Sequence, residues 1–169
     1  MAERLPQDAT VFIYFTGAGF NISGKDYYAG VDAESPSDSS HMVAVSEVYG
    51  HFMRKGARIF AFNQAHRPII EGRYFGMETP MVGAIAQSHA TVQGKNVYSI
   101  VSGGNQVGLY SRAISAILSD WRSNQVPITE FVWQVFYYIR RGGVNETGGG
   151  SQQTPTLPVI SLMGSDARF

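Results

Sequence analysis

Cysteine is absent from all 169 residues of this chain, which excludes both a thiol nucleophile and a disulfide framework. Charged residues are scarce, at 15% of the chain, and their formal charges cancel, which leaves no clustered basic surface for nucleic acid. No apolar run reaches the ~18 residues that a membrane-spanning helix needs, and the N-terminus lacks the pattern of a signal peptide. We therefore expect a cytoplasmic protein with no nucleic-acid partner and no membrane span.

The four histidines of the chain, at positions 41, 51, 66 and 89, do not have the spacing of metal ligands, and we expect neither a metal nor a cofactor. Glycine, in contrast, is abundant at 19 residues, and apolar residues make up an ordinary 44%. This composition favours an ordered α/β protein with glycine-rich loops over a disordered chain. The length fits one domain over residues 1–169, long enough to bury a core.

Apolar runs rich in β-branched and aromatic residues predict four strands. These cover residues 10–16, 58–62, 96–101 and 156–162. In the first strand, apolar residues occupy both alternating positions, which predicts that both faces are buried, as in a parallel sheet. In the last strand, Pro158 predicts an edge position or an irregular start.

Amphipathic spacing predicts three longer helices. They cover residues 42–55, residues 109–121, and a segment from Thr129 to a stop at Gly142. Ser39 or Ser40 is expected to cap the first helix and Gly56 to end it. The last helix should turn inward the side chains of Phe131, Val132, Val135, Phe136 and Ile139. Loops are expected over residues 17–41 and 67–95, the second with one short helix over 81–87. This alternation predicts a three-layer αβα sandwich around a mostly parallel sheet.

Five short stretches occur in one order along the chain: VFIYFTG at 11–17, DYYAGVDA at 26–33, SGGNQ at 102–106, GLYSRA at 108–113 and QTPTL at 153–157. Each resembles a segment of the caspase-like cysteine peptidases, the group that contains caspases, metacaspases and orthocaspases. The resemblance covers residues 10–157 and implies the same αβα fold. It also implies where the catalytic positions of that family fall in this chain.

At those positions the chain has alanines. The family carries its catalytic His in a Ser/Thr-Gly-His-Gly loop, where this chain has Ala18, and its Cys in an Asp-Ala-Cys-Arg loop, where this chain has Ala65. Asn63 replaces the Asp of the second loop, and His66 replaces its Arg. An alanine methyl can neither attack a carbonyl nor transfer a proton, so the resemblance implies a member without peptidase activity.

The resemblance therefore favours a non-catalytic caspase-like domain that acts as a structural, regulatory or assembly subunit. Two alternatives stay open: an active-site variant of a peptidase in which His and Cys were changed to Ala, and an unrelated α/β hydrolase that uses a serine or a carboxylate. A Ser102–His66 pair would need hydrogen-bond contact and a third group that orients the histidine. We expect instead that His66 is an ordinary loop histidine.

Some residues could still line a remnant of the substrate groove: Gly17, Gly19, Asp26, Asp32, Asn63, His66 and Ser102. The amides of residues 17–19 could bind a carboxylate or a peptide carbonyl, although a strand-end turn that needs glycine for its backbone angles is the simpler interpretation. An acidic residue near Asp26 and Asp32 can help the family select basic side chains, whereas ordinary loop carboxylates are the simpler interpretation here. A peptide could also add to an exposed sheet edge near residues 102–106.

The first strand is the expected protein interface. It consists of Thr10, Val11, Phe12, Ile13, Tyr14, Phe15 and Thr16. The family has two strand–helix units before its His-bearing strand, and this chain starts almost at that strand, so we expect an edge strand without protective Lys or Pro. A companion chain that supplies the absent elements, or another copy of this chain, is expected to pair with it. Trp133 and Tyr137 fall off the apolar stripe of their helix and are further candidates for a partner contact.

Overall fold

The computed structural model describes residues 5–6, 8–33, 39–65, 69–71, 83–91, 99–102, 105–121, 125–146 and 153–161. The strands of this part are β1 (Thr10–Gly17), β2 (Gly19–Ile22), β3 (Lys25–Ala29), β4 (Met42–Ala44), β5 (Arg58–Ala65), β6 (Ile69–Glu71), β7 (Ile85–His89), β8 (Ser99–Ser102), β9 (Asn105–Gly108) and β10 (Val159–Ser161). The helices are α1 (Val45–Met53), α2 (Leu109–Asp120) and α3 (Ile128–Glu146).

The main sheet has four strands in the order β1-β5-β7-β10. Strands β1, β5 and β7 run parallel, and β10 pairs antiparallel with β7 at the opposite end from β1. Strand β5 is buried along seven of its eight residues, because a strand lies on each side of it and helices cover its faces. The expected α/β fold, a mostly parallel sheet between layers of helices, is confirmed.

Each face of the main sheet has its own core. On one face, α2 and α3 form the larger core, where Phe131 of α3 meets Phe62 of β5 edge to face at a centroid distance of 5.4 Å. On the other face, Val45 and Tyr49 of α1 pack against Ile59 of β5. Removing a buried aromatic side chain such as Phe131 costs about 3–5 kcal/mol, so these contacts fix where the helices lie. The inward residues expected for α3 are all buried: Phe131, Val132, Val135, Phe136 and Ile139.

A second sheet has the order β4-β3-β2-β6, and its strands β2 and β3 lie in the segment expected to be a long loop over residues 17–41. Its β2–β3 hairpin turns at Ser23 and Gly24, whose φ angles are 50° and 84°. Two consecutive positive φ angles characterise a type I′ turn, which matches the twist of a hairpin. The loop expectation was wrong because a serine at the first turn position gives a weak hairpin signal.

The expected helix over residues 42–55 is shorter and starts later. Met42 belongs to β4, whose Val43 pairs with Tyr28 of β3. Helix α1 therefore begins at Val45, and its N-cap is Ala44 rather than Ser39 or Ser40, which lie in a 3₁₀ turn. Strand pairing overrode the amphipathic pattern at this point. Gly56, with φ of 72°, follows the helix as expected.

The largest error concerns residues 81–87. The described part of this segment leads into β7, an inner strand of the main sheet, and not into a helix. Its sequence, IAQSH, has few β-branched residues, so pairing with β5 and β10 decides its conformation. The strand expected over 96–101 is present as β8, but it pairs with β9 in a separate two-stranded sheet. Strand β6, which pairs with β2, was not expected.

Two further corrections concern α3 and β1. Helix α3 continues through Gly142 and Gly143 to Glu146, since each glycine lowers helix stability by only about 1 kcal/mol and does not by itself end a helix. Strand β1 is not buried on both faces: its side chains alternate between exposed and half-buried. This strand lies at the end of the sheet. At the other end, β10 begins directly after Pro158, which confirms the expected edge position.

Candidate functional site

The candidate site lies at the carboxyl ends of β1 and β5. These strands are parallel neighbours, and Gly17 lies opposite Ala65 in their register. The two positions that the resemblance assigns to the catalytic His and Cys, Ala18 and Ala65, are therefore at adjacent strand ends. Ala18 is exposed and Ala65 is buried. Neither side chain can act as a nucleophile or a base.

Asn63, two residues before Ala65, is held in a buried network of hydroxyl groups. Its Nδ2 donates to the hydroxyl of Tyr49 on α1 at 2.9 Å, and its Oδ1 accepts from the hydroxyl of Tyr28 on β3. The two tyrosine hydroxyls lie 3.1 Å apart. The network joins α1, the second sheet and the main sheet at one point. The Asn63 amide is thereby committed to structural hydrogen bonds.

Gly17, next to Ala18, has a packing role that differs from the expected one. Phe15 stacks on Tyr28 with a centroid distance of 3.9 Å, and a Cβ added at Gly17 would lie 3.0 Å from the tip of the Phe15 ring. The described glycines with positive φ are Gly24, Gly56 and Gly83. The interpretation that Gly17 and Gly19 are needed for their backbone angles was therefore wrong, and Gly17 instead leaves space for an aromatic ring.

The two aspartates of the suggested groove are in different environments. Asp26 is buried in β3, where its Oδ1 accepts a hydrogen bond of 2.8 Å from Nδ2 of Asn21. Asp32 is exposed in the turn that follows β3. The loop interpretation thus holds for Asp32 and is wrong for Asp26. Asn21 is wholly buried and was not among the predicted site residues. Its position opposite Asp26 depends on the β2–β3 hairpin.

Gln64 links the same strand ends to the first turn of α2. Its Oε1 accepts from the backbone N–H of Ser111 at 2.9 Å and from the Ser111 hydroxyl at 2.8 Å, and its Nε2 donates to Oγ1 of Thr16 at 3.3 Å. The N-cap residue of α2 is Gly108, which has no side chain to satisfy these helix N–H groups. Gln64 supplies that cap from a different element. The glycine before the helix was the one signal available in the sequence.

The end of the neighbouring strand β7 is also polar. His89 lies opposite Asn63 in the register of β5 and β7, is buried, and has its Nε2 2.6 Å from Nε2 of Gln87. The stretch QTPTL crosses this end: Gln153 donates to the carbonyl of Ala90 at 2.7 Å, and Thr156 exchanges hydrogen bonds with the backbone of His89. Residues 153–157 are thus held by hydrogen bonds at the strand ends of the main sheet.

Other expected site residues are only partly located. His66 lies outside the described residues, and of Ser102 the structure describes the backbone, which ends β8. The suggested Ser102–His66 pair and peptide addition near residues 102–106 stay predictions. Within the described ranges, no cluster of three or more His, Asp or Glu side chains could hold a metal ion. No helix in the same part of the chain is long and apolar enough to cross a membrane.

No protein-family model matches the chain, and no curated protein is significantly similar to it. Among solved structures, the crystal structure of protein GSU0716 from Geobacter sulfurreducens, a Northeast Structural Genomics target, matches with a TM-score of 0.51 and 10% sequence identity. The match covers 93% of this chain and 68% of that chain. At this identity the likeness concerns the fold alone, and it agrees with the α/β arrangement described above.

Proposed function

We propose that this chain is a non-catalytic, caspase-like domain that acts by binding or assembly. The observation that carries the proposal is the pair of alanines, Ala18 and Ala65, at the adjacent carboxyl ends of β1 and β5. In a chain without cysteine, no other residue can supply a thiolate there. The neighbouring polar groups support the same proposal, because Asn63 and Gln64 are engaged in hydrogen bonds that hold elements together.

The surface that supports binding is the outer edge of β1. This strand ends the main sheet, and Phe12 and Tyr14 on it are 48% and 37% exposed. The strand contains no lysine and no proline, the residues that commonly protect an edge from pairing. An edge of this kind binds another strand through main-chain hydrogen bonds, with side chains adding specificity. We propose a protein partner for it, either a companion chain or another copy of this chain.

The catalytic half of the proposal is tested with peptides that contain Arg, Lys or Asp. We expect no cleavage and no labelling by cysteine-directed inhibitors, because the chain has no thiol. The measurement is product formation by mass spectrometry after repeated purification. Cleavage that survives repurification and disappears in a His66→Ala variant would instead establish an unrelated hydrolase.

The binding half is tested by a charge at the strand edge. Phe12→Lys should abolish association, since a lysine there blocks strand addition. Val43→Lys is the matched control, because Val43 is 49% exposed and lies on β4, the end strand of the second sheet. Association is measured by sedimentation velocity. Equal behaviour of the parent chain and both variants would contradict binding through β1.

A further inference from the structure

The backbone of β1 presents alternate residues to its outer edge. The N–H of Arg58 donates to the carbonyl of Ala9 at 2.8 Å, and Thr10 lies opposite Arg58 in the register. In a parallel ladder the residues that bond to the neighbouring strand alternate along the chain, so the odd-numbered residues of β1 direct their backbone groups toward β5. The N–H and C=O groups of the even-numbered residues point away from β5.

The sequence of the strand is nearly palindromic about Ile13. Antiparallel pairing of two copies with the two-fold axis at Ile13 places Thr10 opposite Thr16, Val11 opposite Phe15, and Phe12 opposite Tyr14. These are threonine–threonine, β-branched–aromatic and aromatic–aromatic pairs, the cross-strand combinations that stabilise antiparallel sheets. Each residue would thus meet a suitable partner in both halves of the interface.

The backbone parity agrees with this register. In this register the numbers of two residues that lie opposite each other always sum to 26. Even-numbered residues of one copy therefore lie opposite even-numbered residues of the other. Phe12 of one copy would form a hydrogen-bonded pair with Tyr14 of the other copy, because the N–H and C=O groups of both residues point away from β5. Ile13 would face its own counterpart in a non-hydrogen-bonded pair, where the Cα atoms approach to about 4.5 Å.

Charge also favours a second copy as the occupant. Residues 10–16 contain no charged side chain, so two copies can meet without opposed like charges and without burying a charge. The exposed rings of Phe12 and Tyr14 lie on the face of the sheet that α2 covers, because the Tyr14 hydroxyl contacts the Ser111 hydroxyl. A two-fold axis perpendicular to the sheet would bring four such rings together.

We infer that the chain forms a two-fold symmetric dimer in which β1 pairs antiparallel with β1 of a second copy about Ile13. The inference rests on the proposed binding through β1 and names its partner. The two main sheets would join into one continuous sheet, with α2 and α3 of both copies on the same face. Such an interface is self-complementary, as a two-fold dimer requires.

A chain without cysteine allows a direct test by single-cysteine variants. Ile13→Cys should oxidise to a disulfide-linked dimer, because the distance across a non-hydrogen-bonded pair suits a disulfide. Phe12→Cys and Tyr14→Cys should cross-link at least tenfold more slowly, since each would be two residues out of register with its own copy, about 7–8 Å away. Cross-linking is followed under mild oxidation on non-reducing gels, with the parent chain run in sedimentation velocity.

Mixed variants check the register independently. Val11→Cys and Phe15→Cys should each stay unlinked alone and form a heterodimer when mixed, because residue 11 lies opposite residue 15 of the other copy. Far-ultraviolet circular dichroism confirms that each variant is folded. Fastest cross-linking of Phe12→Cys or Tyr14→Cys would overturn the axis at Ile13. A concentration-independent 18.5 kDa monomer with no specific cross-link would overturn self-pairing altogether, while the absence of catalysis is judged separately by the cleavage assay.

Discussion

At the residue scale, Asn63 is a buried amide whose neighbours decide its role. Its 2.9 Å bond to Tyr49 and its bond to Tyr28 join three elements, and both Asn63 and Tyr49 are buried. A buried polar group that loses its partner retains the cost of its desolvation. Substituting Asn63 therefore affects the two tyrosine hydroxyls as well as the amide itself.

We predict that Asn63→Leu lowers the free energy of unfolding by about 1–3 kcal/mol, as measured by urea denaturation. Tyr49→Phe combined with Asn63→Leu should cost less than the sum of the two single variants, because the double variant removes both members of the Tyr49–Asn63 hydrogen bond. Additive effects in this cycle would mean that the hydrogen bond contributes little to stability.

Tyr110 couples stability to pH at the same scale. Burial raises the pKa of its hydroxyl well above the ordinary value. The hydroxyl donates a hydrogen bond to the Ser88 carbonyl, 3.2 Å away, which also favours the protonated form. A raised pKa in the folded state means that the unfolded chain releases this proton first. The contribution of Tyr110 is therefore fully present below about pH 10 and is lost as the pH rises further.

We predict that the free energy of unfolding falls more steeply above about pH 10 in the parent chain than in Tyr110→Phe, by about 1.4 kcal/mol per pH unit. Urea denaturation between pH 8 and about pH 11.5 measures both slopes. Tyr137→Phe, the same change on an exposed ring of α3, is the matched control and should keep the slope of the parent. Parallel curves for the parent and Tyr110→Phe would contradict the assignment to Tyr110.

At the element scale, the start of α2 depends on a side chain from β5. Gln64 bonds to Ser111 in the first turn, and a Cβ at Gly108 would lie 1.9 Å from Nε2 of Gln64. Gly108 is therefore required for close approach and not for its backbone angle, since its φ is −66°. Helix and strand are joined at the point where the candidate site lies.

We predict that Gly108→Ala lowers the free energy of unfolding by about 1 kcal/mol because it displaces the Gln64 cap, and that Gln64→Ala does the same. In the Gln64→Ala background, Gly108→Ala should cost almost nothing, since the clash has been removed. Gly50→Ala in α1 is the control: it meets Arg54 only at 3.3 Å and should stabilise by about 0.5–1 kcal/mol. Independent effects of Gly108 and Gln64 would show that the cap is not shared.

At the scale of the whole molecule, the order β1-β5-β7-β10 leaves β1 at one end of the main sheet. That position connects the two parts of the proposed function. The inner side of β1 pairs with β5, and Ala18 and Ala65 lie at the adjacent ends of these two strands. Among the described residues, no strand pairs with the outer side of β1. Trp133 and Tyr137, exposed on α3 as expected from their spacing, stay candidates for a second contact. A dimer through β1 would leave the candidate sites of both copies intact.

The elements that could be predicted from the sequence are those whose own residues have a strong pattern. Strand β1 is rich in β-branched and aromatic residues, and β5 contains an apolar run over residues 59–62. Helices α2 and α3 have apolar stripes over three turns or more, and Gly56 follows α1 with a positive φ. The missing thiol is also a property of the sequence alone. In each of these cases a local property of the residues agrees with the final structure. That property is either the pattern of apolar positions or the chemistry of one side chain.

Tertiary structure decided the elements whose residues have weak or conflicting preferences. The alanine, glutamine and serine of β7 form a strand because β5 and β10 lie on either side of it, and Met42 joins β4 because β3 offers a partner. Tertiary contacts also decided the arrangement of the candidate site. Its bonds from Gln64 to Ser111 and from Asn63 to Tyr28 span 47 and 35 residues, so packing brings together groups whose sequence spacing has no repeating pattern.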